Sequence, residues 1–405
     1  MNEYKIVKIT DLGTVNRGKS KHRPRNDPIL YGGEYPFIQT GDVKKANLHL
    51  VDYTQTYNDV GLKQSKLWKK GTLCFTIAAN IADSAILGMD ACFPDSIVGF
   101  LPYENVSDTT YVKYLFDELK LYFQQISKGT TQDNLSLDKI CRVKLRVPDY
   151  DTQVKVASIL ATYDTAIENN NKRIHLLEQM AESLYKEWFV RFRFPGYEDE
   201  HFIEDIPSSW NYVQLGDIAS FDRGISYSSD EINCDDGINL VNLKNIQSYG
   251  GFRRDGTKQY NGKYKDSQIV AAGDLILGVT DMTQDRRTVG SVALIPQISG
   301  RSAISADLVK VNLKVANVFF YCMCRYGFYS KYFSQFANGA NVLHLKPNVL
   351  LNKKILLPTA KLIEAFAEKV QPMIDILDDL NRQNDLLTKQ RDLLLPRLMS
   401  GKLEV

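Results

Sequence analysis

The sequence predicts an α+β protein: two mixed α/β globular domains joined by two long antiparallel coiled-coil helices, with an internal pseudo-two-fold repeat. Three observations predict it. A stretch of about 200 residues is written twice in 405, and self-similarity at a fixed period is the mark of duplicated architecture. Each copy opens with short apolar runs bounded by Gly, Asp and Asn, the pattern of strands. Each copy closes on a long heptad seam. The length exceeds one ordinary core, so several domains are expected.

The repeat is legible residue by residue. Ile9, Asp11, Leu12, Val15, Arg17 and Gly18 fall opposite Leu215, Asp217, Ile218, Phe221, Arg223 and Gly224, at a constant offset of 206. FIQTGDV from Phe37 falls opposite LVNLKNI from Leu240 at an offset of 203. KKGTLCFT around Gly71 matches AAGDLILG around Gly273 at 202, and the runs ending at Pro148 and Pro358 match at 210. The changing offsets place the differences in loops. GTLCFTI and DLILGVT read as strands, and the aromatic stretches YVKYLFDELKLYFQQISKG and VFFYCMCRYGFYSKYFSQFANG as helical patches. Strand order does not follow from these runs.

The long helices follow Pro148 and Pro358. Asp151 is the expected cap of the first. Its seam runs through Val156, Leu160, Tyr163, Ile167, Asn170, Ile174, Leu177, Ala181, Leu184 and Trp188, in alternating steps of four and three. Adding 210 gives Phe366, Val370, Met373, Leu377, Leu380, Asn384, Leu387, Arg391, Leu394 and Leu398. Asn170 and Asn384 are expected to help set register. Pro372 and Pro396 predict kinks or an early end. Heptad helices need a partner, and two copies supply each other. About 38 residues at about 1.5 Å each span roughly 57 Å, the length of roughly 17 base pairs at about 3.4 Å. Such a rod suits two separated patches on duplex DNA, or equally a spacer between two protein-binding modules. The expected layout is a globular domain at 1–150, a helix at 151–194, a linker at 195–206, a globular domain at 207–358, a helix at 359–399 and a tail at 400–405.

Charge sharpens the choice. The whole chain carries only +2. Residues 1–150 hold 20 basic against 17 acidic side chains, and residues 207–358 hold 17 against 12. The remaining segments hold 13 against 19. Basic charge therefore sits on the globular parts, as nucleic-acid binding by them requires. Arg17, Lys19, Lys21, Arg23 and Arg25 crowd RGKSKHRPR and are candidate phosphate contacts. Lys44, Lys45, Lys128, Arg223, Arg253 and Arg254 are further candidates. For base reading the candidates are Gln39 and Asn242 in matched strands, Gln132 and Asn134 after Lys128, Gln284, Arg286 and Arg287 in TDMTQDRRTVG, and Asn341 near His344. Arg pairs in a fork with guanine, and Gln or Asn with adenine.

Catalytic and cofactor signatures are missing. There is no GxxxxGK[ST] loop and no HExxH helix. Cys322 and Cys324 have no second pair to complete a zinc site. Asp27-Pro28-Ile29-Leu30 lacks the second proline of an amino-methyltransferase loop. The opening residues hold no apolar signal core and no apolar run reaches eighteen residues, so a reduced cytoplasmic location and no membrane partner are expected.

The order of parts and several local phrases resemble the specificity subunit of type I restriction-modification enzymes. The phrases are GTTQDNLSLDKICRVKLRVPDYDTQVKVASIL, LLEQMAESLYKEWFVRFRFPG, IPSSW before the second domain, and the closing LLLPRLMSGKLEV. The resemblance implies that each globular part is a target recognition domain for one half of a bipartite, asymmetric double-stranded DNA site. It implies that the helices set the spacing and dock two modification (methyltransferase) subunits, and that restriction (translocase/nuclease) subunits join them. S-adenosylmethionine, ATP and Mg then belong to those partners, and this chain is expected to be no enzyme and to bind no cofactor. The alternative is a structural adaptor with two protein-binding modules on a rod.

Overall fold

The computed structural model describes residues 4–128, 135–232 and 236–405. The chain divides into two compact units, Met1–Lys172 with Arg382–Val405, and Arg173–Asn381. Each unit holds one globular lobe and parts of both long helices. The division falls within the two long helices.

In the first unit, a five-stranded sheet runs in the order Gly13–Arg17, Ile97–Pro102, Leu73–Thr76, Ser84–Leu87, His49–Leu50. Only the last pair is parallel. LCFT and SAIL are buried at every position, so they read as continuous apolar runs and not as alternation. The helix Thr109–Glu118, capped by Asp108 accepting the Tyr111 N–H at 2.8 Å, packs Tyr111, Val112, Leu115 and Phe116 into the same core as Leu73, Phe75, Val98 and Phe100. A second sheet orders Gln55–Tyr57, Tyr31–Phe37, Ala91–Cys92 and Leu67–Trp68. Its centre is the parallel match of Phe37 with Cys92.

The second unit repeats this order, except that its first sheet has no strand matching His49–Leu50. Ala219–Arg223, Leu308–Leu313, Leu275–Gly278 and Val292–Leu294 form one antiparallel sheet. Lys258–Tyr260, Ile238–Val241, Ser302–Ile304 and Ile269–Val270 form the other, where Leu240 lies parallel to Ala303 as Phe37 does to Cys92. In both lobes the first strand pairs with the strand just before the long helix: Lys5–Val7 with Leu145–Val147, and Asn211–Gln214 with Lys354–Leu357.

The first long helix spans Tyr150–Tyr185. Its cap is Asp149, not Asp151: the Asp149 carboxylate accepts the Thr152 N–H and hydroxyl, both at 3.0 Å. The helix stops short of 194. A wider π-turn, Lys186–Val190, ends it, and Phe192 takes a left-handed φ of +56°. That turn drives Trp188, Phe189 and Phe194 into a core with Trp210, Phe319 and Phe366. The second long helix, Ala360–Met399, passes through both Pro372 and Pro396 without ending at either. Pro372 is exposed, and buried Phe366, Val370 and Leu377 anchor the chain on either side of it.

Within each unit the helices pair antiparallel. In the first, Asn170 Nδ2 donates to Asn384 Oδ1 at 3.0 Å, and Leu160 shares a core with Leu394 and Leu398. In the second, Tyr185 and Trp188 pack on Phe366. Leu160, Ile167, Asn170, Val370, Leu377 and Leu380 are buried; Tyr163, Ile174, Leu177, Leu184, Met373, Asn384, Leu387 and Leu394 are half-buried. No seam position is exposed. Among the described residues no helix is long and apolar enough to cross a membrane.

Candidate nucleic-acid interface

The Arg-Gly repeat is a backbone device. A Cβ on Gly18 would lie 2.4 Å from the Phe93 carbonyl oxygen and 2.3 Å from that of Pro94; one on Gly224 would lie 2.1 Å from that of Ser305. The strand must therefore pass at contact distance, and the chain leaves it onto the surface. In the first lobe the basic loop that follows is pinned through its backbone. Gln64 Oε1 accepts the Lys21 and His22 N–H groups at 2.6 and 3.0 Å, and the Ser65 hydroxyl donates to the Lys19 carbonyl at 2.7 Å. Lys19, Lys21, Arg23 and Arg25 are exposed on it. Arg23 donates to the Ser20 and His22 carbonyls, both at 2.8 Å. Arg25 contacts both Asp95 oxygens, at 2.6 and 2.9 Å. Asp27, 2.8 Å from His22, is held below the usual carboxylate range by the Ile29 amide and by His22.

Arg17, Lys45 and Lys128 are exposed; Lys44 donates to Asn80 at 3.3 Å. Gln39 precedes the helix Thr40–Lys45 and spends its amide on Gln55. Gln132 and Asn134 lie outside the described residues.

The second lobe builds its surface from one elaborated loop. Between the matched hairpin strands the first lobe has residues 77–83, and the second has residues 279–291, nearly twice as many. Asp281, buried to 3% exposure, organises that loop. Its Oδ1 accepts the Thr283 N–H at 2.9 Å; its Oδ2 accepts those of Thr288 and Val289 at 2.7 and 3.3 Å. Burial pushes its pKa up, but the hydrogen bonds from Thr288 and Thr283 outweigh this and hold it below the usual range. Thr280–Asp281 pairs with Leu343–His344, and Gln284 donates to the Ala340 carbonyl at 2.8 Å. Exposed Gln284, Arg287, Asn341 and His344 thus belong to two joined loops. Arg286 has a left-handed φ of +55° and donates to the Ser334 carbonyl at 2.9 Å. Arg287 pairs with Asp285 at 2.7 Å, and its carbonyl accepts the Tyr249 N–H at 2.8 Å.

Two expectations are corrected. Asn242 is not placed to read a base: it is 4% exposed, and its side chain donates to the Gly256 and Leu240 carbonyls at 2.6 and 3.2 Å while accepting the Lys244 N–H at 3.1 Å. Arg254 is half-buried and committed to Asp378 and to the Gln297 carbonyl. Its neighbour Arg253 is exposed and pairs with Asp255 at 2.7 Å; Arg223 is exposed. Sequence reasoning missed Asp281 and Tyr249. A carboxylate that accepts only nearby amides carries no distinctive spacing, and Tyr249 meets the loop through its backbone alone.

One scaffold built twice, with loops of different length and chemistry on each copy, defines a class of protein that presents two unlike surfaces on one frame. The family described as "Type I restriction modification DNA specificity domain" matches residues 1–179. The chain is 26% identical to the type I restriction enzyme MjaIX specificity subunit of Methanocaldococcus jannaschii, over 100% of this chain and 94% of that one. It is 22% identical to the HindI specificity subunit of Haemophilus influenzae, over 97% and 98% of the two. The crystal structure of a type-I restriction-modification S subunit from M. genitalium shares the fold, with a TM-score of 0.63 at 14% identity over 98% of this chain and 96% of that one. Residues 1–179 thus match that DNA specificity domain, and the whole chain is similar to specificity subunits of type I restriction enzymes.

Proposed function

We propose that this chain is the DNA-reading subunit of a type I restriction-modification complex, non-catalytic itself. Each lobe reads one half of a bipartite, asymmetric double-stranded DNA site, and the helices hold the half-sites at a set spacing. Two modification subunits dock on the helices and bring S-adenosylmethionine for adenine N6 methylation. Restriction subunits add ATP- and Mg-dependent translocation and cleavage. This chain holds no cofactor; its part in the reaction is to place each adenine for a partner that takes the base out of the stack. Its place of action is the cytoplasm, where its DNA is.

The observation that carries this reading is the pair of joined loops bearing Gln284, Arg287, Asn341 and His344 on a scaffold whose two sheets recur in the same strand order. Equal frames with unequal loops suit unequal half-sites. Gln and Arg side chains pair in forks with adenine and guanine. Arg17, Lys19, Lys21 and Lys45 of the first lobe and Arg223 of the second, all exposed, suit phosphates, whose contribution falls steeply with salt. The test is co-expression with the modification subunit and mapping of N6-methyladenine. A bipartite methylated motif that vanishes without this chain is the expected result. A stable complex with no motif in an active methyltransferase favours the adaptor reading instead.

A further inference from the structure

We infer that Glu168 and Asp378 are a matched pair of positioning residues, each clamping its own lobe to the helix that follows it and so fixing the angle at which that lobe meets DNA. The inference rests on the proposed reading of DNA by the lobes.

The two residues stand at the 210-residue offset that the long helices keep. Glu168 Oε1 accepts the N–H groups of Leu48 and His49 at 3.1 and 2.7 Å, and its Oε2 lies 3.1 Å from His49 Nδ1. Asp378 Oδ2 accepts the Gln297 N–H at 2.8 Å, and its Oδ1 accepts from the Arg254 guanidinium. In each unit, then, one carboxylate oxygen takes lobe backbone amide and the other faces a basic lobe side chain. The gripped lobe segments correspond only in part: at the offset of 203, Leu48 and His49 fall opposite Gly251 and Phe252, two residues before Arg254, whereas the amide that Asp378 takes belongs to Gln297, elsewhere in the lobe. The lobe residues have changed while the helix position and its carboxylate have stayed. A demand on the lobe's angle produces that pattern; a demand on one particular contact does not.

Leverage supports the assignment. The lobe cores grip the helices through Val156 and Leu160 in the first unit, and through Leu362, Phe366 and Val370 in the second. Glu168 lies eight residues beyond Leu160, and Asp378 eight beyond Val370; eight residues are about 12 Å of helix. A lobe held over a short stretch of helix can still hinge; Asp164, which takes the Tyr114 hydroxyl, lengthens the grip in the first unit by one turn, and Glu168 and Asp378 extend it further along the helix. Across a domain of about 30 Å, a swing of roughly 7° moves the far loops by about one base-pair rise of ~3.4 Å. A lobe free to swing would accept spacers one base pair too long or short. The carboxylate side chains are only 21% and 22% exposed, so these contacts are stronger than open surface pairs.

The test uses the full chain with its modification subunits. Methylation rates are compared on DNA with the native spacer and with spacers one base pair longer and shorter, for Glu168→Ala, Asp378→Ala and the conservative Glu168→Gln. Each alanine variant is expected to lower the native-to-altered rate ratio by roughly tenfold, the worth of one charge-assisted hydrogen bond. The bases read at each half-site stay the same. Glu168→Gln, whose amide oxygen still accepts two N–H groups, keeps most of the selectivity. An unchanged ratio with equally slowed rates on every spacer would make the carboxylates merely structural and overturn the inference. Amide hydrogen exchange on the chain alone reads the clamp directly: faster exchange is expected at Leu48 and His49 in Glu168→Ala, and at Gln297 in Asp378→Ala. Unaltered exchange there also overturns the inference. Absence of any methylated motif with the unsubstituted chain overturns the DNA-reading function itself, and hydrogen exchange still distinguishes that failure from failure of the clamp.

Discussion

The two units bury their polar groups in different places. In the first, an asparagine pair and a buried ion pair lie in and beside the helix seam. Asn170 meets Asn384, and Asn384 in turn donates to Asn171 at 2.9 Å. Nearby, Asp164, fully buried, accepts from Arg391 and from the Tyr114 hydroxyl, while Arg391 also reaches Asn47 at 3.2 Å. Burial works against the Arg391 charge, yet Asp164 and Asp392 outweigh it and raise its pKa above the ordinary value. In the second unit the repeat puts Leu380 and Ile174 where the asparagines stand, and Ile374, Ala181 and Cys322 where Asp164, Arg391 and Tyr114 stand. That seam is apolar, and the buried carboxylate is instead Asp281, under the elaborated loop. One fold therefore tolerates either seam. A buried ion pair is a poor source of net stability, so its use in the first unit points to fixing register, the best-attested role of polar seam residues.

The largest expected effect is on Asp164→Ala. It strands the Arg391 charge and the Tyr114 hydroxyl in the interior, at a cost of about 3–5 kcal/mol, read by urea unfolding. Giving the first unit the apolar character of the second, through Tyr114→Phe, Asp164→Ile and Arg391→Ala together, should restore stability to within about 1 kcal/mol of the original or exceed it. A triple variant as weak as the single one would break the comparison.

Asp281→Asn should cost about 1–3 kcal/mol, because an amide nitrogen cannot accept the Thr288 and Val289 N–H groups. Its effect on reading should fall on one half-site, seen in the methylated motif. Because its folded pKa is depressed, the stability that Asp281 contributes is fully present above the unfolded carboxylate value of about 3.9. It is lost as pH falls through the folded value. Unfolding measured from neutral to acid pH should lose that dependence in Asp281→Asn.

Asn170→Leu with Asn384→Ile should raise stability by about 1–2 kcal/mol through added apolar burial while loosening register. Light scattering should then detect associated species absent from the original protein. The smallest change in stability belongs to Arg287→Ala, within about 0.5 kcal/mol, since its pair with Asp285 is exposed. It should still alter or weaken reading of a single half-site. Equal loss of binding to all DNA would make Arg287 a phosphate contact.

The duplication and the seam were legible because both are periodic: offsets of 202 to 210 and steps of three and four survive divergence. Strand order was not, because the sheets are joined by short, fully buried, non-local pairings such as Phe37 with Cys92. Asp164 escaped notice because it lies one step off the seam. Asn242 was misread because an Asn ending a strand is equally a cap: it precedes the short turn Leu243–Asn245 and accepts its amide. The basic loop Lys19–Arg25 was legible from composition, whereas the joining of residues 280–288 to 338–344 depends on a contact across some fifty residues.

The pairing of each lobe's first strand with its last has a consequence for inheritance. Lys5–Val7 lies beside Leu145–Val147, and Asn211–Gln214 beside Lys354–Leu357, so each lobe leaves its frame and returns to it at one doorway. Whatever sequence lies between the two doorposts can be exchanged for another of the same fold without moving the helices. On the proposed reading of DNA, a new target would then follow from recombining a single gene segment, with the surfaces of the helices kept.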